Sequence, residues 1–367
     1  MSSEVYFMNL RTKQGHNLLD KLERLIGKAG ILDGIEEKDL VALKTHFGER
    51  GNLAYVQPQF IRRVVEGVKG KGGRPFLTDA NTLYVGSRAN AVDHLETAIE
   101  NGFAYAVVGA PLVIADGLNG KDYVAVPVNL KHFKEVKIGS AAVHADALIA
   151  VTHFKGHEAT GFGGTLKNLG MGLGNRSGKQ QMHSDVLPEI TEDSCRACGK
   201  CAKWCPAGAI TVSEKAKIDS GLCIGCGECT VTCPYKAIAI NWKSQPDVFQ
   251  EKIVEYTAGV LKGKEGKTGF ITFVTNVSPL CDCCSWNDEP IISDIGILAS
   301  KDPIAIDQAA VDLVNKAHGN PHSELGERHG ENDKFRTLFP QVDWGIQLAY
   351  GEEVGLGTRK YKLIEVN

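Results

Sequence analysis

Leu148-Ile-Ala-Val-Thr-His153 is a short apolar run, and directly behind it the chain turns glycine-rich and basic: Phe-Lys155-Gly-His157-Glu158-Ala-Thr-Gly161-Phe-Gly163-Gly164-Thr165-Leu-Lys167-Asn168. A strand that delivers such a segment to its carboxyl end is the pattern of an open α/β sheet, where ligands bind outside the strand ends. The same alternation runs through the first 190 residues. Val5–Leu10, Leu40–His46, Pro75–Asp79 and Tyr105–Gly109 read as strands, and Gly15–Gly30, Pro58–Gly70 and Asn90–Asn101 carry Leu, Ile and Val at helical spacing. Phe270–Val277 and Ile295–Ala299 resume the pattern, and Pro303–Ala317 reads as a helix with Asp302 as N-cap and Pro303 at the first helical position. The predicted fold class is α/β, a mixed or mostly parallel sheet with helices on both faces.

Cysteine placement interrupts this pattern. All eleven cysteines fall between Cys195 and Cys284. Two copies of one motif stand in tandem: Cys195-x2-Cys198-x2-Cys201-x3-Cys205-Pro206 and Cys223-x2-Cys226-x2-Cys229-x3-Cys233-Pro234, each followed by an Ala-Ile pair. Three closely spaced thiolates can hold one face of a cubane while the fourth cysteine, before proline, reaches the other cluster. The spacing therefore predicts two [4Fe–4S] clusters, one on Cys195, Cys198, Cys201 and Cys233, the other on Cys223, Cys226, Cys229 and Cys205. Gly199, Gly225 and Gly227 permit the tight backbone that turns amide N–H groups toward sulfur. Zinc sites do not need two such runs, and disulfides rarely persist in a reducing compartment. Residues 191–240 resemble the bacterial two-cluster ferredoxin, which implies low-potential one-electron transfer. The expected organisation is a discontinuous α/β domain over 1–190 and 241–367, with a small α+β ferredoxin-like module inserted at 191–240.

The second dense constellation continues the opening quotation through Gly170-Met-Gly172, Arg176-Ser-Gly178-Lys179 and His183. Eight glycines between Gly156 and Gly178 are too many for a packed helix, so a loop is expected. Backbone N–H groups of such a loop approach anions closely, with Gly163, Gly164, Arg176 and Lys179 as cofactor- or anion-binding candidates. Lys155 and Lys167 add positive charge. His153, His157 and His183 offer proton transfer or metal ligation, and together with Lys167 form the candidate catalytic set.

Cys281-Asp282-Cys283-Cys284 follows a strand and the turn Ser278-Pro279. Three thiols so close are poor core residues. They suit a third metal or iron–sulfur site on Cys281, Cys283 and Cys284, or a redox pair of Cys281 with Cys284.

Leu43-Lys44-Thr45-His46-Phe47-Gly48-Glu49, the His153–His183 segment, and Cys281–Cys284 followed by Asp294-Ile-Gly296 and Asp302-Pro303 together resemble the DUF362 family of iron–sulfur proteins. The resemblance spans nearly the whole chain. One departure is Leu173, where relatives are expected to carry a small residue or cysteine. His157, Lys167 and His183 also have the separations found in catalytic domains of the lactate racemase family. That likeness implies His157 as acid/base, Lys167 as a lysine engaging a nickel-pincer nucleotide and His183 as a metal ligand.

Thr78-Asp79-Ala80-Asn81 and Asp116-Gly117 are turn formers placed where a loop can face the ligand crevice. Lys44 and His46 stand at a strand end, and Asp307 and Asp312 read as structural. With 41 basic and 44 acidic residues the net charge is −3, which gives no reason to expect nucleic acid or an anionic membrane as partner. No apolar run long enough to span a bilayer and no signal peptide are read, so a cytoplasmic location is expected. A redox enzyme is the leading expectation, with a redox partner protein and an anionic small molecule as ligands. A plain electron carrier and a non-redox racemase-like enzyme are the alternatives.

Overall fold

Strands β1 (Ser3–Asn9), β2 (Leu40–Lys44), β3 (Arg74–Asp79), β4 (Leu112–Ile114), β5 (Ala147–His153), β6 (Thr268–Val274), β7 (Gly296–Ser300) and β8 (Tyr361–Glu365) form one sheet in the order β8-β1-β7-β6-β5-β2-β3-β4. The computed structural model describes residues 2–84, 86–183, 188–223, 227–239 and 245–366. Strand β7 is antiparallel to β1 and β6, and every other pairing is parallel. The sheet thus takes strands from both sides of the cysteine-rich segment.

Strand β5 lies near the centre, and all of its residues are buried. Alternation sends Leu148 and Ala150 to one face and Ile149 and Val151 to the other. Helices α1 (Leu18–Lys28) and α2 (Pro58–Gly70) cover the Ile149 face with Leu22, Leu25, Ile61 and Val64. The opposite face is covered by α4 (Thr165–Leu173), α6 (Pro246–Leu261) and α7 (Pro303–Lys316), with α5 (Arg176–His183) following α4, while α3 (Ala91–Ala98) joins the Ile149 side through Ala98. Each large apolar side chain buried in these layers contributes about 1.5–3 kcal/mol.

Two sequence expectations are corrected. Tyr105–Gly109 is not a strand: Tyr105–Val108 is a helical turn closed by Gly109 at φ 76°, and the strand begins after Pro111 as β4. The glycine-rich segment is not one loop, because α4 and α5 occupy most of it. Its glycines give helices room to touch. A Cβ on Gly170 would strike the Ile253 carbonyl of α6, and one on Gly178 would meet the Tyr256 ring. Close approach outweighs the helix penalty of about 1 kcal/mol per glycine. Thr257 Oγ1 donates to the Leu166 carbonyl at 2.9 Å across the same crossing.

Asp302 caps α7 as expected, its Oδ1 accepting from the Ile304 and Ala305 amides at 2.9 Å. Buried Asp307 plays the same part for α4, accepting from the Thr165 and Leu166 amides at 2.7 and 3.0 Å. Among the described residues no helix is long and apolar enough to cross a membrane.

Candidate functional site

The carboxyl ends of β2, β3 and β5 open on a cavity of about 350 Å³. Its wall includes Lys44, Asp79, Arg88, Lys155, Lys167 and Lys179, with His46, His157 and His183 between them. Lys44 ends β2, and its ammonium reaches Asp79 Oδ1 at 3.1 Å and Asn168 Oδ1 at 2.8 Å. Asn168 projects from α4 and donates to Thr152 Oγ1 at 3.0 Å, so sheet and helix hold the lysine together. Arg88 lies 3.3 Å from Asp79 and 3.2 Å from Glu49 and donates to the Tyr84 hydroxyl at 2.6 Å. Burial works against the Asp79 carboxylate, yet Lys44 and Arg88 outweigh it and hold the group well below the usual carboxylate range.

Lys179 sits on α5 and donates to the carbonyls of Gly172 and Gly174. Burial lowers the pKa of both Lys44 and Lys179, a penalty that an anion in the cavity would relieve. His157 accepts from the Ala159 amide at 3.2 Å through Nδ1. Burial, with Lys167 nearby, depresses both His157 and His183 and keeps them neutral. His183 stacks on Phe249, ring centroids 4.5 Å apart.

Cys281 and Cys283 enter the cavity from the loop after β6. The Lys167 ammonium is 3.0 Å from Cys281 Sγ. Hydrogen bonding to Cys283 and burial push the Cys281 thiol up. Asp282 points away from the cavity. Its Oδ1 is 2.7 Å from His153 Nδ1 and its Oδ2 3.3 Å from the Lys155 ammonium. His153 Nε2 faces the carbonyls of Thr275 and Asn276 at 3.0 Å.

The cysteine-rich segment folds as two similar halves. Ile210–Val212 pairs with Ala216–Ile218, and Glu189–Ile190 with Ile238–Ala239. Gly199 and Gly227 share a φ of 72° ahead of the short helices Lys200–Lys203 and Glu228–Thr232. Cys195, Cys198, Cys201 and Cys233 line one small cavity. Amides donate to sulfur in both halves: Ala216 to Cys195 at 3.4 Å, Ala209 to Cys205 and Ala237 to Cys233 at 3.3 Å. Cys226 and Gly225 lie outside the described residues. Among the described residues no group of three or more His, Cys, Asp or Glu side chains is placed to hold a metal ion.

The family profile described as a domain of unknown function, DUF362, matches residues 41–312. The chain belongs to the DUF362 family. No curated protein matches it. Among solved structures, the lactate racemase apoprotein from Thermoanaerobacterium thermosaccharolyticum is similar at 12% identity and a TM-score of 0.36, over 74% of this chain and 50% of that one. A protein from Thermotoga maritima is similar at 10% identity and a TM-score of 0.35, over 72% of this chain and 52% of that one. The chain spans about half the length of either structure.

Within the DUF362 region, the fold gathers His157, Lys167, Lys179, His183, Cys281 and Cys283 at one cavity. It sets others apart. His153 lies behind the wall on Asp282, and Arg176 donates to the Ala89 carbonyl at 3.1 Å. Gly164 packs on Asp307, Gly163 lies beside the Lys155 and Lys167 side chains, and neither lines the cavity. Leu173 is fully buried in the core. Arg88, Tyr84 and Glu158 also line the cavity and were not singled out from sequence as site residues. Arg88 and Tyr84 follow β3, and their position after a parallel strand end was the available signal.

Proposed function

We propose that this DUF362 protein is an iron–sulfur oxidoreductase that passes electrons through two [4Fe–4S] clusters to a small anion bound in the cavity. The observation that carries this reading is the placement of α5. On one side, Gln180 of α5 packs against Gly227 in the second cysteine loop. From the same helix, Lys179 and His183 line the cavity. When bound, the clusters supply one-electron transfer at low potential. Cys195, Cys198, Cys201 and Cys233 line one small cavity with N–H donors on sulfur, and they are the soft thiol ligands that would hold such a cluster. Lys44, Arg88, Lys155 and Lys179 attract and orient the anion, while neutral His157 and His183 can accept or deliver the accompanying protons.

The test follows cluster reoxidation in reconstituted, reduced protein after adding a panel of reducible small anions, such as 2-oxo and α,β-unsaturated carboxylates, each of which takes up two electrons and two protons. At least one should speed reoxidation, and Lys179→Met should remove most of that effect without changing iron content. If no anion alters the rate, the cavity is not the electron acceptor site. An iron content of about eight per chain fits two clusters, whereas about eleven or twelve adds a cluster at Cys281–Cys284.

A second reading rests on the two neutral histidines, His157 and His183, facing one cavity beside Lys167. Such a pair suits proton removal and return without net redox change. Isomerising activity that persists with the clusters oxidised would favour it.

A further inference from the structure

The two halves of the cysteine-rich module meet different surroundings. Three contacts join it to the rest of the chain, at Gly227 in the second cysteine loop, at Thr232 before Cys233 and at Trp204 before Cys205. Gln180 packs on Gly227, the Lys121 ammonium donates to Thr232 Oγ1 at 3.2 Å, and the same ammonium sits 3.4 Å from the Trp204 ring centroid. The loop from Cys223 to Cys229 therefore lies against α5, whose Lys179 and His183 line the cavity.

The first cysteine loop is open to solvent at Cys198. Cys198 is exposed, while Cys195 and Cys201 of the same set are buried. Around Cys198 the surface carries exposed Arg196 and Lys200 and, across the small thiol-lined cavity, Tyr235 at 49% exposure followed by exposed Lys236. Lys215 adds a further ammonium, donating to the Cys195 carbonyl at 2.9 Å. An exposed aromatic ring amid cations beside the exposed Cys198 thiol has the anatomy of a small, electrostatically steered docking patch.

We propose that an acidic one-electron carrier protein docks on the Arg196–Lys200–Lys236 face and exchanges electrons at the Cys195, Cys198, Cys201, Cys233 set, so that the Cys205, Cys223, Cys229 side is the inner relay. This rests on the cluster reading above and adds the docking face and the order of the two sets. In the step itself the reduced carrier loses one electron and the outer cluster gains it. No bond is made or broken. Acidic groups of the carrier pair with the Arg196, Lys200 and Lys236 side chains, and Tyr235 supplies apolar contact beside Cys198.

The experiment uses flavodoxin, an acidic one-electron carrier, with the reconstituted full-length protein. Oxidised flavodoxin is titrated by calorimetry at several salt concentrations, and flavodoxin hydroquinone is mixed with oxidised protein in anaerobic stopped flow. For Lys200→Glu/Lys236→Glu, affinity and second-order rate should each fall about tenfold or more at low salt, and their salt dependence should flatten. Reduction by photogenerated deazaflavin should stay unchanged. Lys28→Glu on α1, a charge reversal outside the module, should leave affinity and rate at the wild-type level. Wild-type affinity and rate in the double variant with full iron, or an equal loss in Lys28→Glu, overturns the docking face alone. Iron well short of eight per chain refutes the cluster reading beneath it.

Discussion

Asp79 shows how one side chain organises the cavity. Its carboxylate meets Lys44 at 3.1 Å and Arg88 at 3.3 Å, and His94 Nε2 lies 3.8 Å away. Removing one member of such a buried network costs about 3–5 kcal/mol, because the remaining charges lose their partner. His94 is fully buried, and burial drives its pKa down to about 3. The unfolded chain binds a proton on this histidine below about pH 6.5, while the folded protein does not. Its contribution is therefore complete above that pH and is lost as pH falls. Between pH 7 and 5 the loss is about 2 kcal/mol. Urea unfolding at the two pH values should show His94→Phe losing correspondingly less than wild type; equal losses would mean that His94 is not held neutral. His157, Lys167 and His183 were legible as candidates because they crowd one sequence stretch. Arg88 was not, since its partners Glu49 and Asp79 stand in the loop after β2 and at the end of β3, and only the fold brings the three together.

At the scale of elements, the α4–α6 crossing corrects the most natural sequence error. Glycine density reads as loop when backbone entropy alone is weighed, because sequence does not display the helix that will press against it. Gly170 is where that pressure is greatest, as its missing Cβ leaves room for the Ile253 carbonyl. Gly170→Ala should destabilise by about 1–3 kcal/mol through overpacking, although alanine is the better helix former. Chemical denaturation measures this directly. A neutral or stabilising result would show that the helices separate freely. Strands β2, β3, β5, β6 and β7 were legible within a few residues, since each is a short, largely buried apolar run bounded by polar or turn residues. Tyr105–Gly109 was misread because an apolar run of that length suits a helical turn equally well.

For the whole molecule, the central claim is that a thiol-rich relay and an anion-binding cavity are joined by one helix. The repeated cysteine motif was legible from sequence, and the fold adds that its second loop packs against α5 while Cys198 of the first is exposed. The most direct measurement is an anaerobic iron and acid-labile sulfide determination on the purified protein, paired with EPR of the reduced form. The account predicts about eight irons and eight sulfides per chain, with Cys233→Ser or Cys205→Ser each disturbing one cluster more than the other. Stoichiometric zinc without sulfide would contradict it.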